Sequence, residues 1–266
     1  MPERPIFIIG CPRSGTSVLY QLLRRLPGTC SLGGEGHALW ETFHHPRAKG
    51  WDSSALEAGD VGSVERRYIA WGIALLAGRG RFVDKTPRNV LRLPYLEALF
   101  PDARYLFMYR DGRAVVSSLI MAWRRRKDPS YVLPFPFRVE GMPDSHWHFL
   151  LPPGWRELDG HPVEDVCALQ YVASTESVAA FHDRVAAARR VDLRYEDLVI
   201  DPSREMERVY RDLDLPFGPK EAENARATIR GPAGPDKWRS LTPKEIARVL
   251  PSIQPSLDLT GYSTVD

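Results

Sequence analysis

PIFIIGCPRSGTSVLYQLLRRL, residues 5–26, is the stretch whose reading decides the fold. Ile6, Phe7, Ile8 and Ile9 form a short continuous apolar run, the signature of a buried strand. Residues 10–15 are glycine, proline and serine rich and read as a tight loop. From Thr16 onward, Val18, Leu19, Leu22, Leu23 and Leu26 recur at helical spacing, and Pro27-Gly28 ends the helix. A strand feeding a helix through such a loop aims several backbone N–H groups at one spot. The helix dipole adds roughly half a positive charge there. The expected object is an anion site.

The loop nearly matches the phosphate-binding pattern G-x-x-x-x-G-K-[ST], with Gly10, Gly15 and Ser17 in place. The lysine position holds Thr16. That lysine normally reaches the outer phosphates of a triphosphate, so its absence argues against ATP hydrolysis. The cation sits earlier, at Arg13, inside the turn. A 5′-phosphate, or a phosphate carrying one more group, suits such a loop.

Composition bounds the rest. With 266 residues, 43% apolar and 10% aromatic, the chain can bury one substantial core, and a single α/β domain over residues 1–266 is expected. A formal charge of +2 is too balanced for a general nucleic-acid or membrane-surface binder. Cys11, Cys30 and Cys167 are scattered and read as reduced thiols of a cytoplasmic protein, not as a disulfide frame or a metal site. The first strand begins near residue 5, which leaves no room for a signal peptide, and no apolar run approaches the ~18 residues of a membrane span.

Along the chain, strands and helices alternate, which argues for a parallel sheet flanked by helices. Residues 29–37, TCSLGGEGH, form a glycine-rich connection; Glu35 and His37 there are either solvated loop residues or ligand-facing groups. A helix is expected over residues 61–76, a strand over 81–84 running into Lys85-Thr86-Pro87-Arg88-Asn89, and a helix over 94–100. Residues 105–109 read as a strand ending in Arg110, and residues 114–123 as the helix after it, with Ser118 two turns in. Ligands of such sheets bind at the carboxyl ends of strands, on the rim that Arg13 also occupies. Arg110 serves either that ligand or a neighbouring carboxylate. Residues 124–127 carry four cations, read as a solvated helix end. Residues 128–162 are irregular and aromatic, the profile of a lid or acceptor-binding insert. A long helix is expected over 163–188, a strand over 191–195 and a helix over 202–213. Residues 229–239 form a glycine-proline loop with Arg230, Gly231 and Trp238, a closing loop or a surface connection into a helix over 243–250.

With these pieces placed, the chain resembles the sulfotransferase family that uses 3′-phosphoadenosine 5′-phosphosulfate (PAPS). Residues 12–17, PRSGTS, look like the family's 5′-phosphosulfate loop, which implies cofactor-binding roles for Arg13, Ser14, Gly15, Thr16 and Ser17. Residues 110–118, RDGRAVVSS, look like its 3′-phosphate site, with Arg110 and Ser118. Tyr195-Glu196-Asp197-Leu198 followed by Asp201-Pro202 is similar to the segment whose tyrosine lies beside the adenosine. Arg230-Gly231 and Trp238 resemble the late loop that closes over the 3′-phosphate. Cytosolic members carry a lysine in the first loop and a Lys-Thr-His base. Here the first loop has Arg13 and the second segment reads Lys85-Thr86-Pro87. The pattern is closer to the tyrosylprotein and bacterial branch, whose base is a glutamate shortly after the first helix, and Glu35 falls close to that place, with His37 in reserve.

The resemblance implies in-line sulfuryl transfer from PAPS to an acceptor hydroxyl on a small molecule, peptide or carrier, leaving adenosine 3′,5′-bisphosphate (PAP). Glu35 would take the acceptor's proton, and Lys85 and Arg13 would stabilise the leaving charge without a metal. Competing classes are a P-loop kinase or nucleotide hydrolase and a non-catalytic nucleotide-binding module. Neither nucleic acid nor membrane is an expected partner, and an oligomer is compatible with the sequence.

Overall fold

The computed structural model describes residues 2–125, 127–229 and 241–262. Its centre is β1 (Ile6–Ile9), every residue of which is buried. β1 leads through the loop into α1 (Thr16–Leu23). Next come β2 (Thr29–Cys30), α2 (His37–Trp40), α3 (Glu65–Leu76) and β3 (Arg81–Asp84). α4 (Leu93–Leu99), β4 (Arg104–Tyr109) and α5 (Gly112–Arg125) follow. A small antiparallel pair, β5 (Tyr131–Val132) and β6 (His146–Trp147), precedes α6 (Val163–His182) and β7 (Arg190–Arg194). The chain then runs through α7 (Tyr195–Ile200), α8 (Pro202–Asp212), α9 (Pro219–Thr228) and α10 (Pro243–Thr260).

The main sheet has the order β2-β3-β1-β4-β7, with parallel pairings throughout. Ile6 sits between Val83 of β3 and Arg104 of β4, which fixes the central register. Strand order reverses direction at β1, because β2 and β3 lie on one side and β4 and β7 on the other. The carboxyl ends of β1 and β4 therefore flank a crevice, the position where open α/β sheets take ligands.

Alternation along β1 feeds two cores. Phe7 and Ile9 join Trp40, Tyr95, Phe100, Tyr105 and Phe107 under α2, α3, α4 and α6. Ile6 and Ile8 face the other way, onto Leu19 and Leu23 of α1 and Met206 and Val209 of α8. Each such buried side chain contributes roughly 1.5–3 kcal/mol.

A third core takes in much of residues 128–162. The segment is irregular apart from β5 and β6, as expected, but its aromatic side chains face inward. Trp147 and Trp155 are fully buried, with ring centres 5.1 Å apart, and Trp123 of α5 meets Trp147 edge-on at 5.4 Å. These rings pack with Val166 of α6 and Ile253 of α10. The aromatics that suggested a covering surface are interior.

Two helices differ in length from the sequence reading. α6 stops at His182, and a 3-10 turn at Ala187–Arg189 fills the space before β7. α10 runs on to Thr260 with Pro251 and Pro255 inside it. Proline costs a helix a hydrogen bond, but Val249, Ile253 and Leu257 are buried, and that packing outweighs local propensity. A reciprocal Thr242–Glu245 capping box starts α10 and Gly261, at φ 71°, ends it.

Candidate active site

The loop after β1 is bent by two residues in the left-handed region, Arg13 at φ 76° and Gly15 at φ 107°. Glycine is required at position 15 twice over, since a Cβ there would also meet the Tyr195 ring at 2.5 Å. Arg13 stays left-handed despite its side chain, a conformation kept only where surroundings enforce it. Among the bonds that hold it, Arg13 Nε donates to Ser118 Oγ at 3.2 Å, and Arg110 Nη1 donates to the Arg13 carbonyl at 3.0 Å.

Arg110 thus leans from the end of β4 onto the anion loop. Its guanidinium also lies over the Tyr195 ring, 4.3 Å from the centroid. Its buried Nε has no hydrogen-bond partner among the described residues. A buried unpaired donor costs about 1–3 kcal/mol, and more when charged. No internal carboxylate occupies Arg110 through a hydrogen bond or ion pair of the described residues. Ser14 turns its buried hydroxyl inward, toward a space of about 30 Å3 that Arg110 and Tyr171 also line.

Beside the loop lies a cavity of about 280 Å3 lined by Arg13, Thr16, Ser17, Glu35, His37 and Lys85, with Pro12, Pro87, Arg88, Ser130 and Phe149 completing it. Glu35 is clamped from two sides. Lys85 Nζ makes an ion pair with Oε1, and His37 Nε2 lies 2.9 Å from Oε2. Partial burial pushes the Glu35 pKa up, but the bonds with His37 and Lys85 and the lysine's charge outweigh it and hold the pKa at about 2. The carboxylate is fully ionised at neutral pH, and the Lys85 side chain beside it is buried.

The residues that position this pair were not given roles by sequence reasoning. Buried Asp84 accepts from Trp40 Nε1 at 3.2 Å, Thr86 Oγ1 at 3.0 Å and Asn89 Nδ2 at 3.0 Å. Burial pushes its pKa up, against the pull of those three bonds. Thr86 Oγ1 in turn accepts from Gly36 N at 2.8 Å, which ties the Glu35 loop to the Lys85 strand end. Arg88 is held by Glu41 at 2.8 Å and by the face of Tyr131 at 4.1 Å, and Arg92 donates to the same carboxylate at 2.8 Å. The signal is the mostly polar run of residues 84–89 at a strand end, in which sequence reasoning gives a role to Lys85 only.

The structure therefore gathers Arg13, Thr16, Ser17, Glu35, His37 and Lys85 around one cavity. It sets Arg110, Ser118 and Tyr195 against the same loop from the β4 and β7 side. Arg230, Gly231 and Trp238 lie outside the described residues. Among the described residues, no group of three or more His, Cys, Asp or Glu side chains is placed to hold a metal ion, and no helix is long and apolar enough to cross a membrane. A backbone anion cradle with flanking cations and a carboxylate–lysine pair can bind a phosphate ester and accept a proton near it.

The chain is similar to known proteins both in sequence and in fold. The chain is 26% identical to protein-tyrosine sulfotransferase A of Caenorhabditis elegans, over 97% of its own length and 67% of that protein's. It spans smaller shares, 31% and 51%, of two other curated relatives. Its fold is similar to sulfotransferase STF9 of Mycobacterium avium, at a TM-score of 0.59 and 18% identity, covering 97% of this chain and 77% of that one. It is also similar to a mouse sulfotransferase complexed with PAP, at a TM-score of 0.55 and 12% identity, covering 98% and 88%. The pattern described as "Sulfotransferase family" matches residues 5–151 and 146–219. With a match across most of its length, the chain belongs to the sulfotransferase family.

Proposed function

We propose that this chain transfers the sulfuryl group of PAPS to an acceptor hydroxyl, with Glu35 as the base. The observation that carries the reading is the Glu35–Lys85 pair standing in the same cavity as the anion loop. A base must lie within about 2.6–3.2 Å of the proton it takes, and next to the group that departs. PAP bound to a mouse protein of the same fold supports the nucleotide.

The residues divide the work. Backbone N–H groups of residues 14–17, with the Thr16 and Ser17 hydroxyls, hold the 5′-phosphate at the start of α1. Arg110 and Ser118 take the 3′-phosphate, and Tyr195 lies beside the nucleoside. PAPS supplies an activated S–O bond. The acceptor oxygen forms a new bond to sulfur, the bond from sulfur to the phosphate oxygen breaks, and the acceptor's proton passes to Glu35. A carboxylate at pKa about 2 is a weak base. Lys85 raises its basicity by leaving it for the oxygen on which charge builds, so one movement strengthens both the base and the leaving group. Arg13 shares that charge, and positioning supplies the remainder of the acceleration.

A thermal-shift comparison tests the reading. PAP should raise the melting temperature and ATP with Mg2+ should not; a ligand at 100 times its dissociation constant stabilises by about 2.7 kcal/mol. Arg110→Ala should lose the effect, with affinity for PAP falling about thirtyfold or more. A shift with ATP-Mg2+ alone would assign the chain to the kinase or hydrolase class.

A further inference from the structure

Helix α3 is packed on one side only. Glu65, Ile69, Gly72 and Ile73 are buried, with Gly72 against Leu39 of α2. The opposite side presents Val64, Tyr68, Trp71 and Leu75, exposed to 66, 42, 61 and 62%. Leu76 extends the patch at one end, and Phe43 extends it beside Tyr68, edge-on at 5.1 Å. Of the nine large apolar side chains exposed among the described residues, these are six, so the exposure is concentrated and not scattered.

The spacing of the stripe points to its occupant. Val64, Tyr68, Trp71 and Leu75 are separated by four, three and four residues, the a/d spacing of a coiled-coil seam, and they cover an arc of only roughly 60°. A bilayer takes a broad apolar face, whereas a narrow seam takes another helix. The four side chains of the stripe expose roughly 500 Å2, within the range for the largest patch on a monomer. With its rim, such a patch approaches the roughly 800 Å2 that each partner buries in a standard interface.

We propose that this face joins two copies of the chain, as an antiparallel α3–α3 pair about a two-fold axis. The pairs Val64/Leu75 and Tyr68/Trp71 are centred on the same point of the helix, so an antiparallel copy sets Val64 opposite Leu75 and Tyr68 opposite Trp71. A two-fold contact requires this self-complementarity. Charge agrees with the direction. Arg66 and Arg67 stand in the first turn, and the last turn carries no basic residue. Helical side chains lean toward their own N-terminus, so Arg67 of each copy reaches the negative C-terminal end of the other. A parallel pair would set like charges side by side. The contact would buttress α2, the helix that begins at His37, and it is independent of the reaction assigned to the site.

Sedimentation of the 266-residue chain over roughly 1–100 µM should show a dimer, and Trp71→Glu should raise the dissociation constant by about 100-fold or more while leaving the circular dichroism unchanged. The double variant Val64→Cys, Leu75→Cys should form a covalent dimer under mild oxidation, and the native cysteines are buried. Val64→Cys alone should not, because two copies of residue 64 would lie roughly 16 Å apart along an antiparallel pair. This cross-link decides the matter if Trp71→Glu fails to fold. A monomer throughout the range, including one that floats with phosphatidylserine vesicles, overturns the proposal. So does a dimer insensitive to Trp71→Glu, or cross-linking by Val64→Cys alone.

Discussion

Glu35 shows how much of a residue's chemistry its neighbours decide. In the sequence it is one carboxylate in a run of glycines; in the structure it is held between Lys85 and His37, with its pKa at about 2. The proposed base role gives a direct expectation. Glu35→Gln should lower turnover by ~10²–10⁴ with PAP affinity nearly unchanged, read by labelled-PAPS assay beside calorimetry. Full turnover in that variant would remove Glu35 from the mechanism. The depressed pKa also fixes a pH dependence. Because the folded value lies below the ordinary 4.5, the pairing favours the folded state fully above about pH 4.5, and that contribution is lost as the pH falls toward 2. Lys85→Met should move the Glu35 titration upward and shrink the loss of stability across that window, as followed by carboxyl carbon resonances and acid unfolding.

At the scale of elements, the strand–loop–helix at residues 5–26 was legible because three local signals agreed: an apolar run, a glycine-bearing turn and helical spacing. The strand ends carrying Lys85 and Arg110 were legible for the same reason. What the sequence hid was non-local. Nothing in a linear reading says that Asp84 gathers Trp40, Thr86 and Asn89, or that Pro251 and Pro255 are tolerated within α10 because α6 lies against it. Residues 128–162 lacked a period because they fill an irregular space between helices, not because they stand apart. The loop itself yields a further expectation. Gly15→Ala combines a positive φ with a contact at 2.5 Å to the Tyr195 ring. It should cost at least about 1–3 kcal/mol and weaken PAP binding, and Tyr195→Ala in the same chain should relieve the contact but not the backbone strain. Denaturant melts of the single and double variants separate the two effects.

For the molecule as a whole, two packed cores flank the main sheet, and a third, built from α5, α6 and α10, depends on the insert. Trp155 is fully buried, packs at a tilt against Phe137 with ring centres 4.7 Å apart, and donates through Nε1 to the Asp52 carbonyl at 2.8 Å. Trp155→Ala should therefore destabilise the fold by about 3–5 kcal/mol, read as a lowered melting midpoint. If the insert were a separable cover, the same change would alter acceptor affinity and leave the midpoint in place.

The bond from Arg110 to the Arg13 carbonyl links the two ends of the crevice through the backbone. The guanidinium proposed to recognise one end of the nucleotide is also a strut for the turn that grips the other. Donor preference is therefore a joint property of both ends. An attempt to re-engineer it by exchanging Arg110 alone would slacken the neighbouring grip, and a successful redesign has to rebuild the strut along with the contact.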